Sequence, residues 1–245
     1  MRTPSQSNDE RCVLVTGASR GIGRAISFRL AEAGMRVALG ARTLEQIEEI
    51  ASCIRTSGGK ALAVRLDVTE PDSISTAVSQ VEQHFGPVEI LINNAGMAHF
   101  DDILCAQALH WREMFEVNVI GQLQVTQRVL PSMLRQNRGH VVMIASTSSH
   151  RAYAKQAGYC ASKHALLGFS RVLLEELRET HVRVHLISPG GVNTDLARST
   201  REDHVTEQYM DPKEVAESVH FVLQYHSMGT IDEIVLRRHK SSPML

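Results

Sequence analysis

The chain has no excess charge of one sign: among its 245 residues, 26 Lys and Arg stand against 27 Asp and Glu. That balance argues against a general nucleic-acid or membrane-surface binder, although a local group of cations can still hold an anion. Cysteine is scarce. Cys12, Cys53, Cys105 and Cys160 lie far apart without a Cys-x-x-Cys pair, so they read as reduced thiols of a cytoplasmic protein rather than a disulfide framework. The 12 histidines are scattered and none joins a cysteine at metal-ligand spacing, so no metal is expected. No apolar run approaches membrane-spanning length, and no membrane partner is expected. Residues 1–10 are polar and lack an apolar segment, which makes them a loose tail and not a signal peptide. Internal linkers, short repeats and low-complexity blocks are also missing, so one large domain over 11–240 is the simplest reading.

What is present is alternation. Apolar runs with β-branched residues at 13–15, 37–40, 61–67, 88–92, 141–145, 182–187 and 231–236 read as buried strands. Between them lie helical patterns. Ile22, Ile26, Arg29 and Leu30 recur at helical spacing, as do Leu44, Ile47, Ile50, Ala51 and Ile54. The segment Thr69-Glu70-Pro71-Asp72 has the form of a capping box with proline in the first turn, and Asp211-Pro212-Lys213-Glu214 caps a further helix. A long helical stretch spans 106–135, with interruptions expected at Gly121 and Pro131; another spans 159–180. Strands alternating with helices imply an α/β fold of about seven parallel strands, doubly wound and Rossmann-like, with helices on both faces. Ligands of such sheets sit at the carboxyl ends of the strands.

The strand ends carry small and polar residues. Strand one runs into Gly17, Ser19, Arg20, Gly21, Ile22 and Gly23 and then a helix. A glycine turn opening a helix is suited to a phosphate, because the helix N-terminus favours negative charge. The same pattern also serves as a tight turn without a ligand. Strand two ends at Arg42, where an acidic residue would instead accept a ribose 2′-hydroxyl; Arg42 and Arg20 suit a 2′-phosphate or are two solvated arginines. Asp67 and Val68 follow strand three, Asn94, Ala95 and Gly96 follow strand four, Ser146 follows strand five, and Pro189, Gly190, Val192 and Thr194 follow strand six. Tyr159 and Lys163 stand four apart, on one helix face. A free tyrosine has a pKa of about 10, and a nearby ammonium favours its phenolate, so the pair is either an acid–base device or two residues that merely share a face.

Together these motifs resemble the short-chain dehydrogenase/reductase family, in its short one-domain branch. The matching residues are TGASRGIG at 16–23, Asp67, NNAG at 93–96, Asn118 after Phe115-Glu116-Val117, Ser146, YxxxK at 159–163 and PGGVNT at 189–194. The resemblance covers roughly residues 11 to 236. It implies an NAD(P)-dependent oxidoreductase acting between a carbonyl and a secondary alcohol. Tyr159 would exchange the proton, Ser146 orient the carbonyl oxygen, Lys163 lower the tyrosine pKa and hold the nicotinamide ribose, and Asn118 hold a water linking Lys163 to solvent. Asp67 and Val68 would flank the adenine, Asn94 and Gly96 line the cofactor cleft, and Val192 and Thr194 hold the carboxamide and pyrophosphate side. Ala41, Arg20 and Arg42 match the family's NADP(H)-preferring pattern, so NADP(H) is expected over NAD(H).

The chain departs from the family in its ending, which lacks the Asp-Gly-Gly-type close of many acyl-carrier-protein reductases. That leans toward a ketone, aldehyde or hydroxy-acid substrate. The short polar segment 195–210 is expected over the substrate, and its Arg198, Arg201 and His204 either meet an anionic group or form a solvated charged lid. Ala98, His99, Ser148, His150 and Ala154 are expected to shape the pocket. The resemblance further implies a homo-oligomer, a dimer or tetramer, touching through the helices near 106–135 and 159–178. Two other classes remain: a regulatory module that senses NADP(H) without turnover, and an isomerase or dehydratase on the same fold, for which the C-terminal region leaves little room.

Overall fold

The computed structural model describes residues 10–199, 209–225 and 229–242. Seven strands form one sheet in the order β3-β2-β1-β4-β5-β6-β7. They are β1 (Cys12–Thr16), β2 (Arg36–Ala41), β3 (Lys60–Arg65), β4 (Ile90–Asn93), β5 (Gly139–Ile144), β6 (Val182–Pro189) and β7 (Glu233–Leu236). Every pairing is parallel. β1 and β4 are buried along their whole length, which is why their sequences are unbroken apolar runs and not alternating ones.

The two faces of the sheet bury different helices. α1 (Gly21–Glu32), α2 (Leu44–Thr56) and α8 (Pro212–Gln224) pack Ile26, Leu30, Ile47, Ile50, Val215, Val219 and Val222 against one face. α3 (Pro71–Phe85), α5 (Gly121–Gln136) and α6 (Ala157–Glu176) pack Ile74, Val78, Val125, Val129, Leu166 and Leu173 against the other. Burial at that spacing along each helix contributes most of its stability. The strand order reverses between β1 and β4, and this opens a crevice at their carboxyl ends.

Three local expectations change. The interruption in the long helical stretch falls before Gly121: α4 (Ala108–Phe115) leads into a π-helical turn, Glu116–Ile120, and α5 then runs through Pro131 to Gln136. The extra residue of a π turn re-aims the side chains around it, and this turn carries Asn118. Thr69 is not a helix cap. The N-cap of α3 is Glu70, without a side-chain bond, and the Thr69 hydroxyl donates to Asp67 Oδ1 at 2.8 Å. Much of 195–210 is outside the described residues, Arg201 and His204 among them; its start forms a short helix, α7 (Asp195–Ser199). The capping box of α8 does form. Lys213 N–H donates to Asp211 Oδ1, and Asp211 N–H donates to Glu214 Oε1, each at 2.8 Å.

Candidate active site

A cleft of about 850 Å3 runs along the carboxyl edge of the sheet. Its first wall is the turn between β1 and α1. Gly17 has a φ of +64°, in the left-handed region, where a side chain would be strained. Gly23 is there for closeness: a methyl at that position would meet the Gly17 carbonyl oxygen and lie 2.5 Å from the Asn94 amide nitrogen. That amide nitrogen donates to the main-chain oxygens of Thr16 and Gly17 at 2.9 and 3.0 Å. The Thr16 hydroxyl accepts from Asn94 N–H and Ala95 N–H, both at 3.0 Å. Asn94 therefore clamps the turn with its side chain. No side chain caps the N-terminus of α1, so its first amides are left to an incoming group.

Of the residues singled out from the sequence, Gly17, Ser19, Arg20, Gly21, Ile22, Arg42, Asp67, Val68, Asn94, Ala95, Gly96, Ser146, Tyr159, Lys163, Pro189, Gly190, Val192 and Thr194 all line this one cleft. Gly23 and Asn118 do not; they lie behind its wall. Arg42 is exposed at the β2 side. Arg20 is also exposed, with Asp195 at 3.9 Å, a contact too weak and too solvated to hold it there.

The chemical end sits where β4, β5 and β6 finish. Ser146 caps the short 3-10 turn Thr147–Ser149, its oxygen accepting from Ser148 N–H at 3.1 Å. Tyr159 projects from the first turn of α6 and is partly exposed to the cleft, its ring edge-to-face with Phe100 at 5.7 Å. Packing around the phenol pushes its pKa above the ordinary tyrosine value, and the Ser146 hydroxyl pulls the other way. Lys163 is buried one helical turn on, and its Nζ donates to the Ile144 carbonyl at 3.0 Å. Burial brings the Lys163 pKa down to about 8. Its Nζ lies 5.9 Å from the Tyr159 ring centre. The net direction at the phenol is upward, set by burial.

Asn118 is fully buried, and its side chain makes three hydrogen bonds. Its Oδ1 accepts from Met97 N–H at 2.8 Å; its Nδ2 donates to Met97 O at 2.9 Å and to Ser162 Oγ at 3.0 Å. The side chain thus ties the segment after Gly96 to α6, and both hydrogens of its amide are spent. Gly96 keeps space open in the same place, since a methyl there would sit 3.3 Å from Asn118 Oδ1 and 3.9 Å from Lys163 Nζ.

Pocket-shaping expectations hold only in part. Ala98 and Ser148 line the cleft; His99, His150 and Ala154 do not. His150 turns away to Glu233, at 2.6 Å, and Ser188 donates to the same carboxylate at 2.6 Å. Arg198 is likewise engaged, by Asn193 and Asp195, both at 2.5 Å. Tyr209, in the segment expected over the substrate, lines the cleft; residues not singled out include Phe100, Arg151, Tyr153, Gln156 and, after β7, Arg237, Arg238, Lys240, Ser241 and Ser242. A signal existed for the last. Whatever follows a final parallel strand must leave at the ligand edge of the sheet.

The cleft suits a nicotinamide dinucleotide in shape and chemistry: an uncapped helix N-terminus behind a glycine turn, two exposed arginines at one end and a buried lysine at the other. No group of three or more metal-ligating side chains lies together among the described residues, and none of their helices is long and apolar enough to cross a membrane. The profile of the short chain dehydrogenase family matches residues 11–205. An uncharacterized oxidoreductase of Staphylococcus saprophyticus is 35% identical, over 93% of this chain and 97% of that one. An alcohol dehydrogenase of the archaeon Thermococcus sibiricus, solved with 5-hydroxy-NADP, superposes with a TM-score of 0.88 at 30% identity, covering 96% of this chain and 99% of that one. Actinorhodin polyketide ketoreductase with NADPH superposes with a TM-score of 0.87 at 32% identity, covering 94% and 96%. The chain belongs to the short-chain dehydrogenase/reductase family of oxidoreductases.

Proposed function

We propose that this protein interconverts a carbonyl compound and the corresponding secondary alcohol with NADP(H), using Ser146, Tyr159 and Lys163. The observation that carries the reading is the convergence of Ser146, Tyr159 and the buried Lys163 on one cleft, with the lysine one helical turn from the tyrosine. A bound nicotinamide supplies or accepts the hydride. The chain's own part is alignment and proton transfer. Tyr159, held as a phenol, donates its proton to the carbonyl oxygen. Ser146 holds that oxygen in line, and both hydroxyls stabilise the charge that develops on it. Lys163, fixed by the Ile144 carbonyl, holds the ribose side of the dinucleotide. Asn118 acts as a positioning residue through Met97 and Ser162. The amides at the start of α1 hold the pyrophosphate, Asp67 and Val68 flank the adenine, and Val192 and Thr194 hold the carboxamide side.

Arg20 and Arg42 support a preference for NADP(H) over NAD(H). Both are free to close on a 2′-phosphate, and a bidentate guanidinium–phosphate contact is among the stronger hydrogen bonds. The solved NADP and NADPH complexes of the similar proteins support the same choice. The protein works as a homo-oligomer: Ile120 at the end of the π-helical turn, Leu134 on α5 and Val172 on α6 are exposed, apolar and unspent in the single chain. It acts on a small molecule and works in the cytoplasm.

The test is loss of absorbance at 340 nm with NADPH, then NADH, against a panel of ketones, aldehydes, diketones and keto acids. Turnover with NADPH and its near-complete loss in Tyr159→Phe, with NADPH binding retained, is the expected result. Turnover that survives Tyr159→Phe would remove the tyrosine from its role. A higher kcat/KM with NADH would overturn the cofactor assignment.

A further inference from the structure

The cleft has further cations on its β7 side, away from Arg20 and Arg42. β7 runs parallel to β6, with Pro189 beside Leu236, so the chain leaves β7 at the edge where Ser146 and Ser188 lie. The next residues turn over the open end of the site. A methyl on Gly190 would lie 3.6 Å from Thr147 and 3.7 Å from the Arg237 Cα, which puts this segment next to the residue that follows Ser146. Arg237 fastens it: its guanidinium donates to the main-chain oxygens of Arg238, His239 and Ser241 at 3.2, 3.0 and 2.8 Å. That leaves Arg238 and Lys240 as cations lining the cleft. Arg238 rests on the Tyr209 ring at 5.0 Å, which orients its fork. Arg151 lines the same cleft from the loop after the 3-10 turn, its N–H bonded to Thr147 O at 3.1 Å.

None of these three cations is paired with a carboxylate among the described residues. The two carboxylates in the cleft wall are engaged elsewhere: Asp67 by Thr69, and Asp195 by Arg198. Arg42 lies past β2, on the opposite side of the sheet order from β7. A 2′-phosphate therefore cannot answer the charge at the β7 side. Like charges gathered around one cleft raise the local concentration of an anion, and a guanidinium fork matches a carboxylate or phosphate in geometry.

We propose that the carbonyl compound taken by this site carries a carboxylate or phosphate group, held by Arg151, Arg238 and Lys240. This inference rests on the reaction proposed above. It is tested with NADPH and keto acids of increasing chain length, each against its methyl ester, and with dihydroxyacetone phosphate against dihydroxyacetone. At least one anionic compound should exceed its uncharged partner in kcat/KM by about tenfold or more, the effect of one charge-assisted contact. The arm that responds says whether carboxylate or phosphate is the natural group. The advantage should fall toward one in the triple variant Arg151→Met, Arg238→Met, Lys240→Met, and should shrink with added potassium chloride. Thermal unfolding checks that the variant is folded. Uncharged partners preferred throughout, or an advantage that survives the triple variant, would overturn the proposal. If no compound in either series is reduced, the reaction is what fails, and calorimetry of the same anions with the NADPH-treated protein reads the anion site by itself. Binding that disappears in the triple variant upholds the site; no binding of any anion overturns it.

Discussion

Gly23→Ala tests the turn on which the site depends. The added methyl would lie 2.5 Å from Asn94 Nδ2, where ordinary contact begins near 3.4 Å, and would also meet the Gly17 oxygen. Neither neighbour can step aside. The Asn94 amide is spent on Thr16 and Gly17, and Thr16 in turn holds Asn94 and Ala95. The helix must therefore move away from the turn by about 1 Å. Overpacking of this kind costs about 1–3 kcal/mol. For a chain of this size each kcal/mol is about 2–4 °C in Tm, so the free protein should melt about 2–12 °C lower. The same shift pulls the α1 amides off the pyrophosphate; two charge-assisted bonds lost are about 3 kcal/mol, or a hundredfold in Kd. Thermal unfolding with and without NADPH reads both effects. NADPH at about 100 times the wild-type Kd stabilises the wild type by about 2.7 kcal/mol, and a site weakened a hundredfold gains only about 0.4 kcal/mol. A variant that keeps both its free Tm and its full NADPH shift would refute the reasoning.

The pH dependence carries a second test. Reduction consumes a proton, so thermodynamics makes the ratio of reverse to forward kcat/KM change about tenfold per pH unit, and the tyrosine decides which limb moves. With its pKa raised by packing, Tyr159 stays a phenol near neutrality; reduction should be flat between pH 6 and 8 while alcohol oxidation climbs, and the reverse pattern would show a tyrosine lowered by Lys163. Lys163→Met should abolish turnover yet stabilise the protein at pH 7. A buried lysine whose folded pKa is about 8 instead of 10.5 disfavours folding below pH 8, and that penalty fades as pH rises to 10.5. The gain, about 1–3 kcal/mol, should therefore be visible by chemical denaturation at pH 7 and vanish near pH 10.5; a loss of stability at pH 7 would contradict it. Asn118→Leu takes the partners from Met97 N–H and Met97 O and the donor from Ser162 Oγ, so kcat should drop with a Tm fall of several degrees, and an unchanged kcat would remove its positioning role. Asp211→Ala removes the α8 cap and should cost about 1 kcal/mol in denaturant unfolding with kcat/KM unchanged.

Much of this fold was legible because its signals are local. Buried parallel strands need unbroken apolar runs, and each helix shows its buried face at a spacing of three and four. The Tyr159–Lys163 spacing was legible for the same reason. What the sequence could not show depends on distant partners. The π turn at Glu116–Ile120 is sustained by what Asn118 finds in Met97 and Ser162, 21 and 44 residues away, and no local pattern marks it. His150 stands four residues after Ser146, close enough in sequence to suggest the pocket. The 3-10 turn between them sends it to Glu233 on β7 instead. Thr69 fits the capping pattern, but its hydroxyl has a nearer acceptor in Asp67.

The site divides by burial into two kinds of residue, and the division bears on how specificity can change. Ser146, Lys163 and Asn118 are buried, and each is held by at least one bond to the main chain of a neighbouring segment. Packing and these bonds fix their geometry, so altering any of them changes stability, in one direction or the other, as well as the chemistry. Arg42 and Arg151 are exposed at the rim, and a surface substitution there costs the fold within about 0.5 kcal/mol. The groups that carry the reaction are thus constrained by the core, whereas the groups that meet the charged ends of cofactor and substrate are constrained mainly by what they bind. One sheet edge can then keep a single proton-transfer device while its two flanks, at β2 and at β7, change the charge they accept independently of it and of each other.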